Sequence, residues 1–121
     1  MVLAAVDDLL FRSKIRTTAK QAGVDLILVH SAAEIPAEAR AKAPSLVIFD
    51  LNSDKGDPIS TIAEMKKDPA LGGIRTLAFV SHVQTGLIQA ARTAGADEVM
   101  PRSVFASQLA DILLSDRTAK P

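Results

Sequence analysis

The sequence predicts one α/β domain built on a doubly wound parallel sheet, and three observations support this class. Five short apolar runs alternate along the chain with five segments of helical character. The apolar runs are rich in Val, Leu and Ile on both faces, which is typical of strands covered by helices on both sides. The chain has 121 residues, of which 48% are hydrophobic, enough for one domain with little left over for a second.

The alternation places each predicted strand next to a predicted helix. The predicted strands cover residues 2–6, 24–30, 46–50, 74–80 and 97–100. The predicted helices cover residues 9–23, 31–43, 57–68, 85–95 and 105–115. Strands joined through helices run parallel, so the pattern predicts five βα units in residues 1–121 with 116–121 as a flexible tail.

Capping residues mark where several of these helices begin and end. Gly23 is a stop signal for the first helix. Ser31 and Glu34 have the spacing of a capping box at the start of the second. Asp57 followed by Pro58 predicts an N-cap and a first helical residue for the third.

Composition excludes several classes of function. Lys plus Arg number 14, as do Asp plus Glu, and the chain has no Trp or Tyr, so neither the basic surface nor the stacking rings of a nucleic-acid binder are present. There is no Cys for disulfides or thiolate metal sites. The apolar runs are too short to span a membrane, and the first residues do not resemble a signal peptide. We therefore expect a cytoplasmic protein with no nucleic-acid or membrane partner.

Polar side chains follow four of the predicted strands, at the edge where open α/β sheets bind ligands. These candidate residues are Asp7, Asp8, Asp50, Asn52, Ser81 and Arg102. Each also has a simpler interpretation: Asp8 as a helix cap, Ser81 as a turn residue, Arg102 as a solvated side chain. His30 and Ser31 need not join the cluster if the second strand lies at the edge of the sheet.

The combination of carboxylates, a hydroxyl and a cation predicts a specific chemistry. Hard oxygen ligands of this kind suit a magnesium ion that keeps several of its waters. A carboxylate such as Asp50 can accept a phosphoryl group to form an aspartyl phosphate. The metal and the cation of Arg102 would neutralise charge on the transferred oxygens.

Four segments in order resemble the receiver domain of two-component response regulators, the chemotaxis type being nearest in length. They are "VDD" at 6–8, "LVIFDLN" at 46–52, "AFVS" at 78–81 and "AGADEVM" at 94–100. The resemblance covers residues 2–115 and implies a flavodoxin-like three-layer sandwich with strand order 2-1-3-4-5. It implies that Asp50 is the phosphoacceptor, that the Asn52 main-chain carbonyl reaches the metal, and that Ser81 hydrogen-bonds the phosphoryl group.

The sequence departs from the family pattern at five positions. Arg102 stands where the family has Lys, and Ser103 where a Pro follows it. Val99 replaces the aromatic residue that moves when the domain switches. His82 replaces a small residue after the hydroxyl and is expected to shade the entrance to Asp50. Val6 occupies the position of the first of two acids.

The two acids after the first strand fit the family in two registers. Aligning the helix from Arg12 to Gly23 places Asp7 on the second acid and makes Val6 the first. Sliding by one residue restores both acids but shortens the segment before the helix. The first register makes Asp7 the better metal ligand and Asp8 a cap or outer-shell partner.

Three functions remain open at this stage. The leading one is a stand-alone, atypical receiver in a phosphorelay, with a histidine kinase or phosphotransfer protein as donor and a downstream protein as partner. The second is a phosphorylation-independent pseudo-receiver that acts as an interaction module. The third is a small phosphatase of the haloacid dehalogenase type. For a receiver, the expected partner or homodimer surface is the fourth helix, fifth strand and fifth helix, with the apolar residues Leu87, Ala91, Val99 and Leu109.

Overall fold

The computed structural model describes residues 1–53, 55–81 and 84–118, with the main chain alone for 116–118. It contains a five-stranded parallel sheet in the order β2-β1-β3-β4-β5, which confirms the predicted topology. The strands are β1 (Val2–Ala5), β2 (Leu26–Val29), β3 (Leu46–Asp50), β4 (Arg75–Val80) and β5 (Glu98–Pro101). β1 and β3 are neighbours, so the sheet reverses its winding direction between them.

Helices cover both faces of the sheet. They are α1 (Leu9–Ala22), α2 (Ile35–Lys42), α3 (Pro58–Lys67), α4 (Thr85–Ala94), α5 (Arg102–Ser107) and α6 (Leu109–Thr118). A short 3-10 turn at Ala32–Glu34 precedes α2. Buried side chains of α1, α5 and α6 pack on one face, and those of α2, α3 and α4 on the other, which gives three layers with two hydrophobic cores.

The capping residues behave as the sequence predicts. Gly23 ends α1 with φ 71°, a left-handed conformation that costs glycine little. Ser31 and Glu34 form the capping box. Asp57 caps α3 by accepting a hydrogen bond from the Ser60 N–H at 3.1 Å. α2 ends differently, because Ala43 takes the left-handed position with φ 48°.

The last helical segment is longer than the predicted range 105–115. α5 begins at Arg102, directly after β5, and α6 continues to Thr118 after a break at Gln108. Pro101 has a fixed φ and an extended conformation, so it ends the strand and lets the helix begin at the next residue. Residues 116–118 continue α6, residues 119–121 lie outside the described part of the chain, and the flexibility of 116–121 stays a prediction.

The base of the sheet is tied to the last helix. Arg75 of β4 pairs with Glu98 of β5 and donates from Nη1 to the Ser115 hydroxyl of α6 at 2.8 Å. In the described portion of the chain, none of the helices is both long and apolar enough to cross a bilayer.

Candidate functional site

Asp50 is the last residue of β3 and is only 8% exposed. The ladder between β3 and β4 pairs it with Phe79, and the Leu51 N–H bonds the Phe79 carbonyl, so the strand holds Asp50 at its carboxyl end. Burial raises the pKa of the Asp50 carboxyl, although the Asn52 N–H bonds it at 2.9 Å and the Arg102 charge opposes the rise. Asp50 is thus a mostly buried carboxylate at the carboxyl-terminal edge of the sheet. This edge, where Asp7, Asp8, Asn52, Ser81 and Arg102 also follow their strands, is called the rim.

Asp8 connects helix α1 to the cation of Arg102. Its Oδ1 accepts the Phe11 N–H at 3.0 Å, so Asp8 is the N-cap of α1, as one of the two interpretations predicts. Its Oδ2 accepts a hydrogen bond from Arg102 Nη2 at 3.1 Å. These two contacts lower the pKa of Asp8. The Asp8 charge also contributes to raising the pKa of Asp50, so Asp8, Asp50 and Arg102 form one electrostatic cluster.

Asp7 faces a different set of partners. His30 Nδ1 lies 3.0 Å from Asp7 Oδ1, and Lys55 Nζ lies 3.2 Å from Asp7 Oδ2. Hydrogen bonds from His30 and then Lys55 lower the pKa of Asp7. The structure therefore groups Asp8 with Arg102 and Asp50, and it pairs Asp7 with Lys55 and His30 at the same edge of the sheet. The preference for Asp7 as the metal ligand stays a prediction.

The sequence did not predict that Lys55 or His30 would contact Asp7. The second strand is at the sheet edge, as the topology requires, yet His30 still reaches Asp7 from its carboxyl end. A single Lys in a polar loop gives no sequence signal for its contacts. The place of Lys55 depends on Gly56, whose φ of 80° and close approach to Ser31 bring the loop after β3 to the end of β2.

Asn52 links the loops after β3 and β4. Its Oδ1 accepts the Ser81 N–H at 2.5 Å, and its Nδ2 donates to Gln84 Oε1 at 2.7 Å. Ser81 follows β4 directly and is half-buried at the same rim. Strand alternation places Asp50 on the same face of the sheet as Ile48, which belongs to the core under α1. Ser81 lies one residue beyond the end of β4, and its bond to Asn52 holds it next to the loop that follows Asp50.

Arg12 of α1 stabilises the carboxyl-terminal ends of β1 and β2. It is 8% exposed, and its Nη1 donates to the main-chain carbonyls of Val6 at 2.7 Å and Val29 at 3.0 Å. These bonds join α1 to the ends of β1 and β2. Val6 is fully buried and belongs to the core under α1.

Three further predictions concern the metal site, His82 and the partner surface. Across residues 1–53, 55–81 and 84–118, no three His, Asp or Glu side chains converge as a ready-made metal site. His82, expected to shade the entrance, lies outside the described residues. On the expected partner surface, Ala91 and Leu109 are buried in the two cores, while Leu87 and Val99 are half-buried.

The most exposed large apolar side chains lie elsewhere. Leu9 and Leu10, at the start of α1, are 76% and 85% exposed. They follow Asp8 directly in the sequence, at the start of α1. Leu10 falls roughly at helical spacing with Ile15, Ala19 and Ala22, but Ile15 and Ala19 are buried while Leu10 is exposed, so this spacing did not mark the exposed start of the helix.

Comparison with solved structures identifies the fold. The phosphorylated cyanobacterial phytochrome response regulator RcpA is 22% identical, with a TM-score of 0.82 over 99% of this chain and 95% of its own. The chemotaxis response regulator CheY4 of Vibrio cholerae is 17% identical, with a TM-score of 0.81 over 95% and 96%. The Mn²⁺-bound form of the response regulator Rcp1 is 19% identical, with a TM-score of 0.76 over 94% and 91%.

Sequence comparison adds no closer relative. No family model matches the chain, and no curated protein matches it. The structural likeness covers nearly all of both chains in each case. The protein therefore has the fold of response-regulator receiver domains, as the resemblance of its four segments predicts.

Proposed function

We propose that this protein acts in the cytoplasm as an atypical receiver that accepts a phosphoryl group on Asp50 and signals by binding another protein. The observation that carries the proposal is the position of Asp50. It ends β3 as a mostly buried carboxylate, and its surroundings include the cation of Arg102. Receiver-fold neighbours such as the phosphorylated RcpA support a phosphoryl acceptor in this fold.

The proposed reaction transfers a phosphoryl group from a phosphohistidine to Asp50. An Asp50 oxygen attacks the phosphorus, a P–O bond forms, the P–N bond of the donor breaks, and its electron pair returns to the histidine nitrogen. Arg102 neutralises developing charge on the phosphoryl oxygens, and the Ser81 hydroxyl donates a hydrogen bond to one of them. A histidine kinase or a phosphotransfer protein supplies the phosphohistidine.

A divalent ion fits the residues closest to Asp50. Asp8 and Asp50 are hard oxygen donors, and the charge of Asp8 acts on the pKa of Asp50, which supports a shared ion. We propose that these two carboxylates and the Asn52 carbonyl would hold magnesium, with Asp7 outside the inner set. The bound ion would offset charge on the transferred group. The Mn²⁺-bound form of Rcp1 supports divalent binding in this fold.

Two different surfaces would serve the donor and the output partner. Leu9 and Leu10 are exposed at the start of α1, directly after Asp8, so the phosphohistidine donor would approach along this end of the helix. The half-buried Leu87 and Val99 belong to the surface of α4, β5 and α5, which we retain for the downstream partner or a homodimer.

A second candidate is supported by the ion pairs of the rim. Asp8 is bonded to Arg102, and Asp7 to Lys55 and His30, so both acids are neutralised by side chains of the chain itself. A rim neutralised in this way is suited to a constitutive interaction module. In that function, partner binding would be the same for the wild type and for Asp50→Asn.

The phosphatase alternative receives less support. Its two-acid pattern needs a second carboxylate where this chain has Asn52, and the Asn52 side chain is occupied by Ser81 and Gln84. Asp50 also ends the third strand of the chain rather than the first. The open apolar groove of about 720 Å³ between α3 and α4 contains none of the candidate residues.

The deciding experiment is phosphoryl incorporation. The protein is incubated in magnesium with acetyl phosphate or with a phosphorylated histidine phosphotransfer domain, and its mass is measured. We expect one phosphoryl group on the wild type, none on Asp50→Asn, and one on Asp57→Asn, which alters a carboxylate of the same loop. Labelling that persists in Asp50→Asn, or its absence from the wild type with both donors, contradicts the proposal.

A further inference from the structure

We propose that Phe11 is a positioning residue whose ring holds the Arg102 guanidinium against Asp8, beside Asp50. The placement of Arg102 stands on geometry alone. Its consequence for a phosphoryl group rests on the proposed function of Asp50. The pair also explains why this chain has Arg rather than Lys at position 102.

The geometry of the pair is that of a cation on an aromatic face. Arg102 Cζ lies 4.3 Å from the centroid of the Phe11 ring. A guanidinium is planar, so it can stack on a ring and still direct its N–H groups sideways to a carboxylate. Here Nη2 bonds Asp8 Oδ2 at 3.1 Å. The ring and the carboxylate together restrict both the position and the tilt of the guanidinium.

Phe11 fixes both partners of this ion pair. Its main-chain N–H bonds Asp8 Oδ1 at 3.0 Å, while its ring supports the cation that bonds Asp8 Oδ2. The N-cap of α1 and the side chain of its third residue therefore converge on one carboxylate. A change in the Phe11 side chain leaves the first bond in place and removes the second constraint.

The ring is itself held firmly. Phe11 is 6% exposed, and its centroid lies 5.3 Å from that of Phe79 in an edge-to-face arrangement and 5.7 Å from that of Phe105. Phe79 and Phe105 stack on each other at 4.6 Å. Three rings from α1, β4 and α5 thus form a rigid support below the rim.

A Lys at position 102 would lose this support. Its ammonium is a compact, strongly hydrated charge without a flat face to lie on the ring. Arg102→Lys should therefore weaken contact with an anion at Asp50, although it restores the residue that the receiver family uses. Phe11 and Arg102 are expected to act as a unit, so that losing either gives most of the effect.

The test compares Phe11→Leu, Phe11→Tyr and Arg102→Lys. The matched control is Leu113→Ala, which weakens the same core without removing the ring under Arg102. The first readout is NMR of the Arg102 guanidinium protons in the metal-free protein. We expect an upfield ring-current shift in the wild type, Phe11→Tyr and Leu113→Ala, and its loss in Phe11→Leu.

The second readout is the affinity for beryllofluoride in magnesium, a mimic of the phosphoryl group. Phe11→Leu and Arg102→Lys should each weaken binding about fivefold, and the double variant little more than either single one. Phe11→Tyr should retain wild-type affinity, as should folded Leu113→Ala. Equal weakening in Phe11→Leu and Leu113→Ala would show a merely structural role and overturn the proposal.

The two readouts separate the inference from the proposed function. A wild type that shows the ring-current shift but binds no beryllofluoride supports the placement of Arg102 and counts against phosphorylation of Asp50. A wild type that binds beryllofluoride without the shift, and loses nothing in Phe11→Leu, keeps the proposed function and overturns the role of Phe11.

Discussion

The side-chain oxygen of Asn52 accepts a hydrogen bond from the Ser81 N–H at 2.5 Å, joining the loop after β3 to the loop after β4. The amide nitrogen of the same side chain donates to Gln84, which lies three residues after Ser81. Asn52 is exposed, so these bonds are made at the surface of the rim rather than in the core. They hold the main chain of Ser81, the residue whose hydroxyl the proposed reaction uses.

Asn52→Ala should loosen the loop after β4. The Ser81 N–H loses its acceptor, so its hydrogen exchange should accelerate about tenfold while the strand amides of β4 stay protected. Gln84→Ala is the control, because it removes only the second bond of Asn52. If Ser81 exchanges equally fast in both variants, the bond to Asn52 does not hold the loop.

Asp50→Asn should increase the free energy of unfolding at neutral pH in metal-free buffer, by about 1 kcal/mol. The reason is that burial penalises the charged carboxylate, and a neutral amide of the same shape avoids this cost. Denaturant unfolding of both proteins measures the difference. A less stable Asp50→Asn would show that the Asp50 carboxylate is stabilised in the fold.

The pH dependence of that difference has a definite sign. Because the pKa of Asp50 is raised in the folded protein, its protonated form stabilises the fold. This contribution is complete below the ordinary pKa of 3.8 and is lost as pH rises through the raised value. The stability gap between Asp50→Asn and the wild type should therefore be small in acid and open towards neutral pH.

Lys55→Met should strengthen magnesium binding about threefold. Lys55 places a cation on Asp7 at the rim, and surface pairs of this kind have small but measurable effects. Lys67→Met is the control, since Lys67 is an exposed cation near the end of α3. Titration of amide chemical shifts with magnesium gives both affinities. An unchanged affinity in Lys55→Met means that the positive charge of Lys55 does not oppose binding of the ion.

Ala43→Gly should stabilise the protein by about 1 kcal/mol. Ala43 ends α2 with φ 48°, a conformation in which its Cβ crowds the backbone and glycine does not. Ala37→Gly, at an exposed helical position of α2, should instead destabilise it by about the same amount. Thermal unfolding of the two variants should show shifts of opposite sign, and a loss of stability in both would contradict the strain at Ala43.

The sequence allowed the sheet to be predicted because its signals are local. Apolar runs, Gly23 and the cap at Asp57 depend on neighbours a few residues away, and the structure confirms them. The start of the last helix was missed because Pro101 can end a strand or precede a helix, and only packing decides between them. The helical residues 116–118 carry no strong local pattern.

Part of the rim could be predicted, because its candidate residues follow the strands in the sequence, but neither the ion pairs nor the presence of Lys55 and His30 could be. Strand order brings Asp50 and Ser81 to one edge, and that order followed from the resemblance. Which cation meets which acid depends on side chains that reach across long separations, such as Lys55 to Asp7 and Arg102 to Asp8. The support of Arg102 by Phe11 joins residues from opposite ends of the chain, and no spacing rule marks it.

Arg102 is the first residue of α5, and this has a mechanical consequence. No coil separates the cation from the helix, and α5 passes into α6 through a single break at Gln108. At the far end, Ser115 is bonded to Arg75 in the sheet. Because α5 begins at Arg102 and Ser115 is bonded to the sheet, a displacement of the Arg102 main chain should move α5 as a unit and be taken up at the break at Gln108, while the end of α6 stays in place.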